Sequence, residues 1–367
     1  MSGAGLRLLL TLDSVGGVWQ YGIELARALG ARGVETLLAQ MGPAPTDAQR
    51  AEASGIRSAR LIETGLPLDW LVDGPRPIVA AGTALSQLAR DERVDLVQLD
   101  MPTLAASVQP GVPVVAVAHG CVATWWRAVR GDAELPSEFH WHRRMSGEGL
   151  RAADVVVAPT AAHARAVARE YGLPRVPAAV HNGRTPLARP GSGMARNQVF
   201  TAGRLWDQAK NAALLDRVAA RLAVPFHAAG PLTGPHGETA TLDRLHLLGC
   251  LDEPDLRHWI EQQPIFVSAA CFEPFGLAVL EAAQAGCPLI LSDIPSFREL
   301  WDGAALFAAR DSDAAFAQAV ESVIANPALR ATLGAAAVER AALYTPAAMA
   351  DGMLGLYARL RPQERAA

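Results

Sequence analysis

The stretch from Ile265 to Ser292 constrains this chain more than any other. Ile265–Ala269 (IFVSA) is a short apolar run with β-branched residues behind Pro264, the pattern of a buried strand. A Cys-Phe-Glu-Pro-Phe-Gly loop follows, then Leu277–Ala285, built of good helix formers and stopped by Gly286. Pro288–Ser292 is a second apolar strand. Strand, loop, helix and strand in that order commit the chain to an α/β sheet with helices packed on it.

The same stretch carries chemistry. Gly276 leaves the start of the helix uncovered, so its N–H groups and dipole can meet an anion such as a diphosphate. Glu273 hangs from the loop at the carboxyl end of the strand, where open α/β sheets bind ligands, and Glu281 lies one turn into the helix. Two carboxylates around an anion hole suit a ligand with phosphates between two sugars. Locally, Glu281 also reads as a salt-bridged or solvated helix acid. Its neighbours Leu280, Ala282 and Ala283 mean that a carboxylate there needs a partner.

This stretch closely resembles the signature of the retaining family 4 glycosyltransferases. That signature is Glu, seven residues, Glu, here Glu273-Pro-Phe-Gly-Leu-Ala-Val-Leu-Glu281, followed by Ala-Ala, a Gly and a buried strand. The resemblance implies that Glu273 contacts the donor sugar and that Glu281 holds ribose hydroxyls. It also implies that backbone groups around Gly276 hold a diphosphate, which brings Pro274, Phe275 and Leu277 into the donor-binding set.

At 367 residues, half of them hydrophobic, the chain suits two moderate domains, each with its own core. A formal net charge of −4 argues against general nucleic-acid binding. Cys121, Cys250, Cys271 and Cys287 form no CxxC pair, as expected of reduced thiols. Leu8–Leu12, the longest early apolar run, is too short for a leader or a membrane span. A cytoplasmic protein follows, with contact at the inner face of a membrane left open.

From the N-terminus, Leu6–Leu12 reads as a strand, followed by Gly16-Gly17 and a helix to Leu29. Paired glycines there allow a backbone to approach a ligand or simply make a tight turn. The GxGxxG dinucleotide fingerprint is absent. Further strands at Val34–Gln40, Ala59–Ile62, Val94–Leu99 and Val112–Ala118 alternate with helical stretches, the pattern of a parallel sheet. His119 follows the last of these on the ligand side. In the resembled family a glycine-rich loop stands at Gly16 and Gly17 and closes on donor and acceptor, and a His at the position of His119 touches the donor sugar. Trp125, Trp126 and Arg127 open a segment rich in aromatic and basic residues that reads either as core anchors or as an acceptor surface. His140 and His142 lie two apart, the wrong spacing for a zinc site on one helix face.

Asn182-Gly183 matches a family feature at the end of the first domain, but Arg184-Thr185-Pro186 stands where the family usually has an acid, which weakens a role for this loop. Residues 187–196, with Pro190, Gly191, Ser192 and Gly193, read as a linker. The second domain opens on a strand ending at Gly203-Arg204, with Lys210 at a helix start. Two cations so placed suit a diphosphate, or are merely solvated bases. They resemble the family's Gly-Arg-Leu…Lys motif with one residue more between them. Cys250 and Leu251 stand where the family reads the nucleotide base through main-chain groups.

The resemblance thus implies a GT-B architecture: an α/β chain of two facing Rossmann-like domains with a deep interdomain cleft. Residues 1–186 would bind the acceptor and residues 187–345 the donor, with a helix at 346–362 packing back on the first. It further implies retaining transfer from a UDP-, GDP- or ADP-sugar to a hydroxyl acceptor. Glu273, His119, Arg204 and Lys210 would carry the chemistry, with no cofactor and no metal. A nucleotide-sugar epimerase of the same fold, or a non-catalytic partner subunit, are the alternatives.

Overall fold

The computed structural model of the chain describes residues 5–189 and 196–360. Pro190, Gly191, Ser192 and Gly193, the middle of the expected linker, lie outside the described residues, as do positions 361 and 362 of the expected terminal helix. The described residues form two compact units. The first takes those up to Arg127, Asp132–Gly183 and those from Pro346 onward, and the second takes Ala128–Gly131 and Arg184–Thr345.

In the first unit, strands β1 (Arg7–Asp13), β2 (Glu35–Met41), β3 (Ala59–Glu63), β4 (Leu96–Leu99), β5 (Val114–Val117), β6 (Val155–Ala158) and β7 (Ala178–Ala179) form one sheet. Its order is β3-β2-β1-β4-β5-β6-β7 and every pairing is parallel. Parallel neighbours need long crossovers, which the helices supply. These are α1 (Gly17–Gly30), α2 (Asp47–Ser54), α3 (Pro75–Asp91), α4 (Pro102–Ala105), α5 (Val122–Arg130), α6 (His140–Ala152) and α7 (Ala161–Tyr171). Strand β1 shows why the sheet is covered on both faces. Leu8, Leu10 and Leu12 enter the core on one side, and Leu9 enters the core on the other.

The second unit repeats the plan. Strands β8 (Val199–Ala202), β9 (Phe226–Ala229), β10 (His246–Gly249), β11 (Ile265–Ser268), β12 (Leu289–Ser292) and β13 (Ala305–Ala308) lie in the order β10-β9-β8-β11-β12-β13, all parallel. Their helices are α8 (Ala212–Ala219), α9 (Glu253–Glu261), α10 (Leu277–Gln284), α11 (Pro295–Trp301), α12 (Asp313–Ala325) and α13 (Pro327–Ala341). Helix α10 ends as its sequence requires. Gly286 takes φ +85°, its N–H reaches Ala283 O at 3.0 Å and the Cys287 N–H reaches Ala282 O at 3.0 Å.

The last helix, α14 (Pro346–Leu360), belongs to the first unit. Met349, Met353 and Tyr357, four residues apart, make a stripe buried with the residues of β1 and α1. Each such side chain contributes roughly 1.5–3 kcal/mol of burial. Arg32 holds the outer edge of this contact through Asp351 at 2.7 Å.

In both sheets the chain lays strands outward on one side of the first strand and then returns to its other side. The order therefore reverses between β1 and β4 in one unit and between β8 and β11 in the other. Beyond the carboxyl ends of such strand pairs lie the crevices in which open α/β sheets take ligands. Among the described residues no helix is long and apolar enough to cross a membrane.

Thr160 caps α7 by accepting from the His163 N–H at 3.1 Å, and this fixes His163 in the interior. Burial, aided by the nearby His119, lowers the pKa of His163 from 6.5 to about 4. The unfolded chain therefore binds a proton between pH 6.5 and 4 that the folded chain refuses, and stability falls as pH drops through that window. At full extent this is roughly 3 kcal/mol. Urea unfolding across that range should show a shallower pH slope for His163→Asn than for the parent chain.

Candidate active site

At the reversal point of the second sheet, the loops after β8 and β11 bring together most of the residues singled out on this half of the chain. Gly203 follows β8, and a Cβ on Gly230, which follows β9, would sit 1.7 Å from the Gly203 carbonyl oxygen. The two strand ends therefore approach too closely for any side chain at Gly230. After Gly203 the chain runs through Arg204 and a 3₁₀ turn, Gln208–Lys210, to Asn211 in the left-handed region at φ +57°. Lys210 thus precedes α8 on a separate turn and does not sit on the helix, because the additional residue after Gly-Arg is taken up there. The buried carboxylate of Asp207 holds Arg204 at 3.0 Å and the Ala209 N–H at 2.9 Å, and the Arg204 guanidinium also lies 5.5 Å from the Trp206 ring centre.

Lys210 reaches across to the β11 loop and pairs with Glu273. Ser296 on α11 donates to the Glu273 carbonyl at 2.5 Å and pins that loop from below. Gly276, the residue before α10, takes φ +94°, and a Cβ there would press on Glu273 Cγ and Phe297 at 3.2 Å. Only glycine accommodates both demands. No side chain caps this helix, so its first N–H groups and dipole add positive potential beside the Lys210–Glu273 pair.

One turn along α10, Glu281 is only 9% exposed. Its partner is Arg184, whose Nε donates to Glu281 Oε1 at 2.8 Å while Nη2 reaches Glu253 at 3.4 Å. Arg184 is itself buried. Its N–H donates to the Tyr344 carbonyl at 3.3 Å and its carbonyl accepts from Gln284 Nε2 at 2.7 Å. A loop that the sequence marks as weakened by the loss of an acid therefore supplies the cation that Glu281 needs. The signal was present in the apolar neighbours of Glu281, which demand a partner.

The remaining predicted donor residues divide by exposure. Phe275 is buried with its ring edge-on to Tyr344, so only its backbone remains for a ligand. Pro274 and Leu277 are half-buried beside it. Cys250, exposed, and Leu251, half-buried, follow the edge strand β10, where the Gly230 N–H donates to Gly249 O at 2.8 Å.

In the first unit the reversal point carries carboxylates. Asp13, at the end of β1, accepts from the Val15 and Gly16 N–H groups at 2.8 and 3.2 Å. The glycine loop therefore turns two amides onto its own chain, while Gly16 and Gly17 remain exposed. Asp100, just after β4, is buried, and burial raises its pKa against the opposing pull of His119. His119, just after β5, places Nε2 3.2 Å from Asp100 Oδ1 and meets Tyr21 edge-on at 4.5 Å between ring centres.

Trp125, Trp126 and Arg127 lie on α5. Trp126 and Arg127 line a cavity of about 500 Å³ together with His140 and Arg143, whereas Trp125 is not among the lining residues. Arg127 pairs with Asp132 at 2.8 Å. His142 is turned inward and pairs with buried Asp69 at 3.1 Å.

Two units of parallel sheet, each with its polar residues gathered at the strand reversal, define a protein of two Rossmann-like domains. A profile described as Glycosyltransferase Family 4 matches residues 15–185, and one described as Glycosyl transferases group 1 matches residues 196–326. Together they take in most of the chain, which belongs to the family 4-like GT-B glycosyltransferases. Among solved structures, a sucrose-phosphate synthase from Thermosynechococcus elongatus is similar at TM-score 0.76 and 18% identity, over 97% of this chain and 99% of that one. HepE of Anabaena in complex with UDP and glucose is similar at TM-score 0.75 and 16% identity, over 97% and 100%. These likenesses are of fold. The O-antigen biosynthesis glycosyltransferase WclY of Escherichia coli is 40% identical over 60 residues, a stretch that spans only 16% of each chain.

The buried pair makes a direct prediction. Arg184→Met should destabilise the chain by roughly 3–5 kcal/mol in chemical denaturation, because Glu281 loses its guanidinium while remaining buried. The double variant Arg184→Met with Glu281→Leu should recover most of that loss.

Proposed function

We propose that this chain is a retaining glycosyltransferase that moves a sugar from a nucleoside-diphosphate sugar to a hydroxyl acceptor. The observation that carries this reading is the grouping at the β8–β11 reversal. Lys210 paired with Glu273 beside the open N-terminus of α10, with Glu281 one turn on, offers fixed positive potential for a diphosphate between two carboxylates for hydroxyls.

In this reading Arg204, Lys210 and the first turn of α10 take up the charge that develops on the diphosphate as the C1–O bond breaks. Positive groups already in place reduce the need for a divalent metal, and the reading assigns none. Glu273 orients the sugar, and Glu281, held by Arg184, accepts from the ribose hydroxyls. The acceptor hydroxyl attacks C1 from the face the diphosphate leaves, and its proton passes to the departing phosphate oxygen. His119 touches the donor sugar. The α5 segment, through Trp126 and Arg127, faces the acceptor, a saccharide, lipid-linked sugar or small metabolite. HepE with UDP and glucose bound makes uridine the first base to test.

Calorimetry with UDP-, GDP- and ADP-sugars should find one nucleotide class that binds and is lost in Glu281→Ala. Lys210→Ala should lower turnover by about 10²-fold or more, the usual cost of one preorganised charge donor. Product analysis by NMR should find a glycoside of retained anomeric configuration; an altered nucleotide sugar without glycoside would instead mark an epimerase. A correctly folded chain that binds none of the panel would overturn the reading.

A further inference from the structure

A directed hydrogen-bond chain runs under His119. The Tyr357 hydroxyl, on α14, is bonded to Gln98 Oε1. That fixes the Gln98 amide, whose Nε2 donates to the Tyr21 hydroxyl at 3.1 Å and to Asp100 Oδ1 at 3.3 Å. The Asp100 backbone is pinned as well, its N–H donating to Thr11 Oγ1 at 2.9 Å. Tyr21, Gln98, Asp100 and Tyr357 are all buried.

Polarity decides what His119 does. An ionised Asp100 has no proton to donate, so the contact from His119 Nε2 at 3.2 Å, on the oxygen that also accepts from Gln98, requires an N–H at Nε2. A neutral imidazole protonated at Nε2 presents a lone pair at Nδ1. Tyr21, edge-on at 4.5 Å, fixes the plane of the ring. Asp100 Oδ2 is buried without a hydrogen-bond partner among the described residues, a cost that packing alone does not require. The carboxylate's single engaged oxygen is committed to Gln98 and His119.

We propose that Asp100 is a positioning residue that holds His119 in its Nε2–H tautomer, so that Nδ1 receives a hydrogen bond from a sugar hydroxyl. The hydroxyl contact rests on the transferase reading; the tautomer does not.

Nitrogen-15 NMR of the full chain with labelled histidine, His119 assigned by His119→Gln, tests both parts. The expected result is a protonated Nε2 and an acceptor-type Nδ1, the latter shifting when UDP-glucose is added. Asp100→Ala should abolish the tautomer preference and slow release of UDP from UDP-glucose by about tenfold, the size of one lost hydrogen bond to the sugar. UDP-glucose affinity by calorimetry should fall by no more than about tenfold, the loss of that one hydrogen bond. Asp100→Asn, which keeps an acceptor oxygen, should retain the tautomer and most of the rate, and it keeps the test alive if the alanine variant does not fold. An unchanged His119 spectrum or unchanged UDP release in Asp100→Ala, or loss of the tautomer in Asp100→Asn, would overturn the proposal. Failure of UDP-glucose to bind the parent chain would instead count against the transferase reading, leaving the tautomer result intact.

Discussion

Glu281 sits on an eight-residue helix whose neighbouring side chains are apolar, and water hardly reaches it. An ionised carboxylate in that setting is tolerable only beside a positive charge with good geometry. Arg184 provides it, and in doing so ties the start of α9, the middle of α10 and the segment at Tyr344 to one guanidinium and its own backbone. The same short helix carries the open N-terminus and packs over β11 and β12, against α13. The placement of that N-terminus thus depends on a polar contact inside an otherwise apolar core.

The two sheets share a plan but differ in charge where the strand order reverses. The second gathers Arg204 and Lys210, each paired with a carboxylate (Asp207 and Glu273), together with a helix N-terminus. The first gathers Asp13, Asp100 and an imidazole. Guanidinium, ammonium and free helix N–H groups suit phosphate oxygens, while carboxylates suit hydroxyl groups. The same backbone architecture therefore carries different chemistry in its two halves, and the difference lies in the strand ends and the loops that follow them.

Much of the fold was legible because buried parallel strands announce themselves as short apolar runs. Leu6–Leu12, Ile265–Ala269 and Pro288–Ser292 all became strands of parallel sheets. Strand β13, Ala-Leu-Phe-Ala, escaped because it lacks β-branched residues and stands among alanine-rich helices. Within the site, the residues that sequence alone could not place are those that act through distant partners. Arg184 and Glu281 are 97 positions apart, so a loop that looked impaired could not be seen to serve the helix. Asp100 belongs to no motif that the sequence singles out. Its significance comes from Gln98, His119 and Tyr357, the last 259 positions from Gln98. Side-chain direction was equally invisible, as with Phe275, which faces the core.

The close approach of Gly230 to the Gly203 carbonyl bears on how this scaffold can diversify. With 1.7 Å available, no larger residue enters at Gly230 without parting β8 from β9, so this part of the crevice floor is fixed in width. Libraries meant to change which base or sugar is accepted gain nothing by randomising it. Variation has room farther out, at the exposed end of β10 and at the exposed positions of the loop between β9 and β10 other than Gly237, where added bulk displaces solvent; buried Gly234 in that loop is closely packed, as Gly230 is.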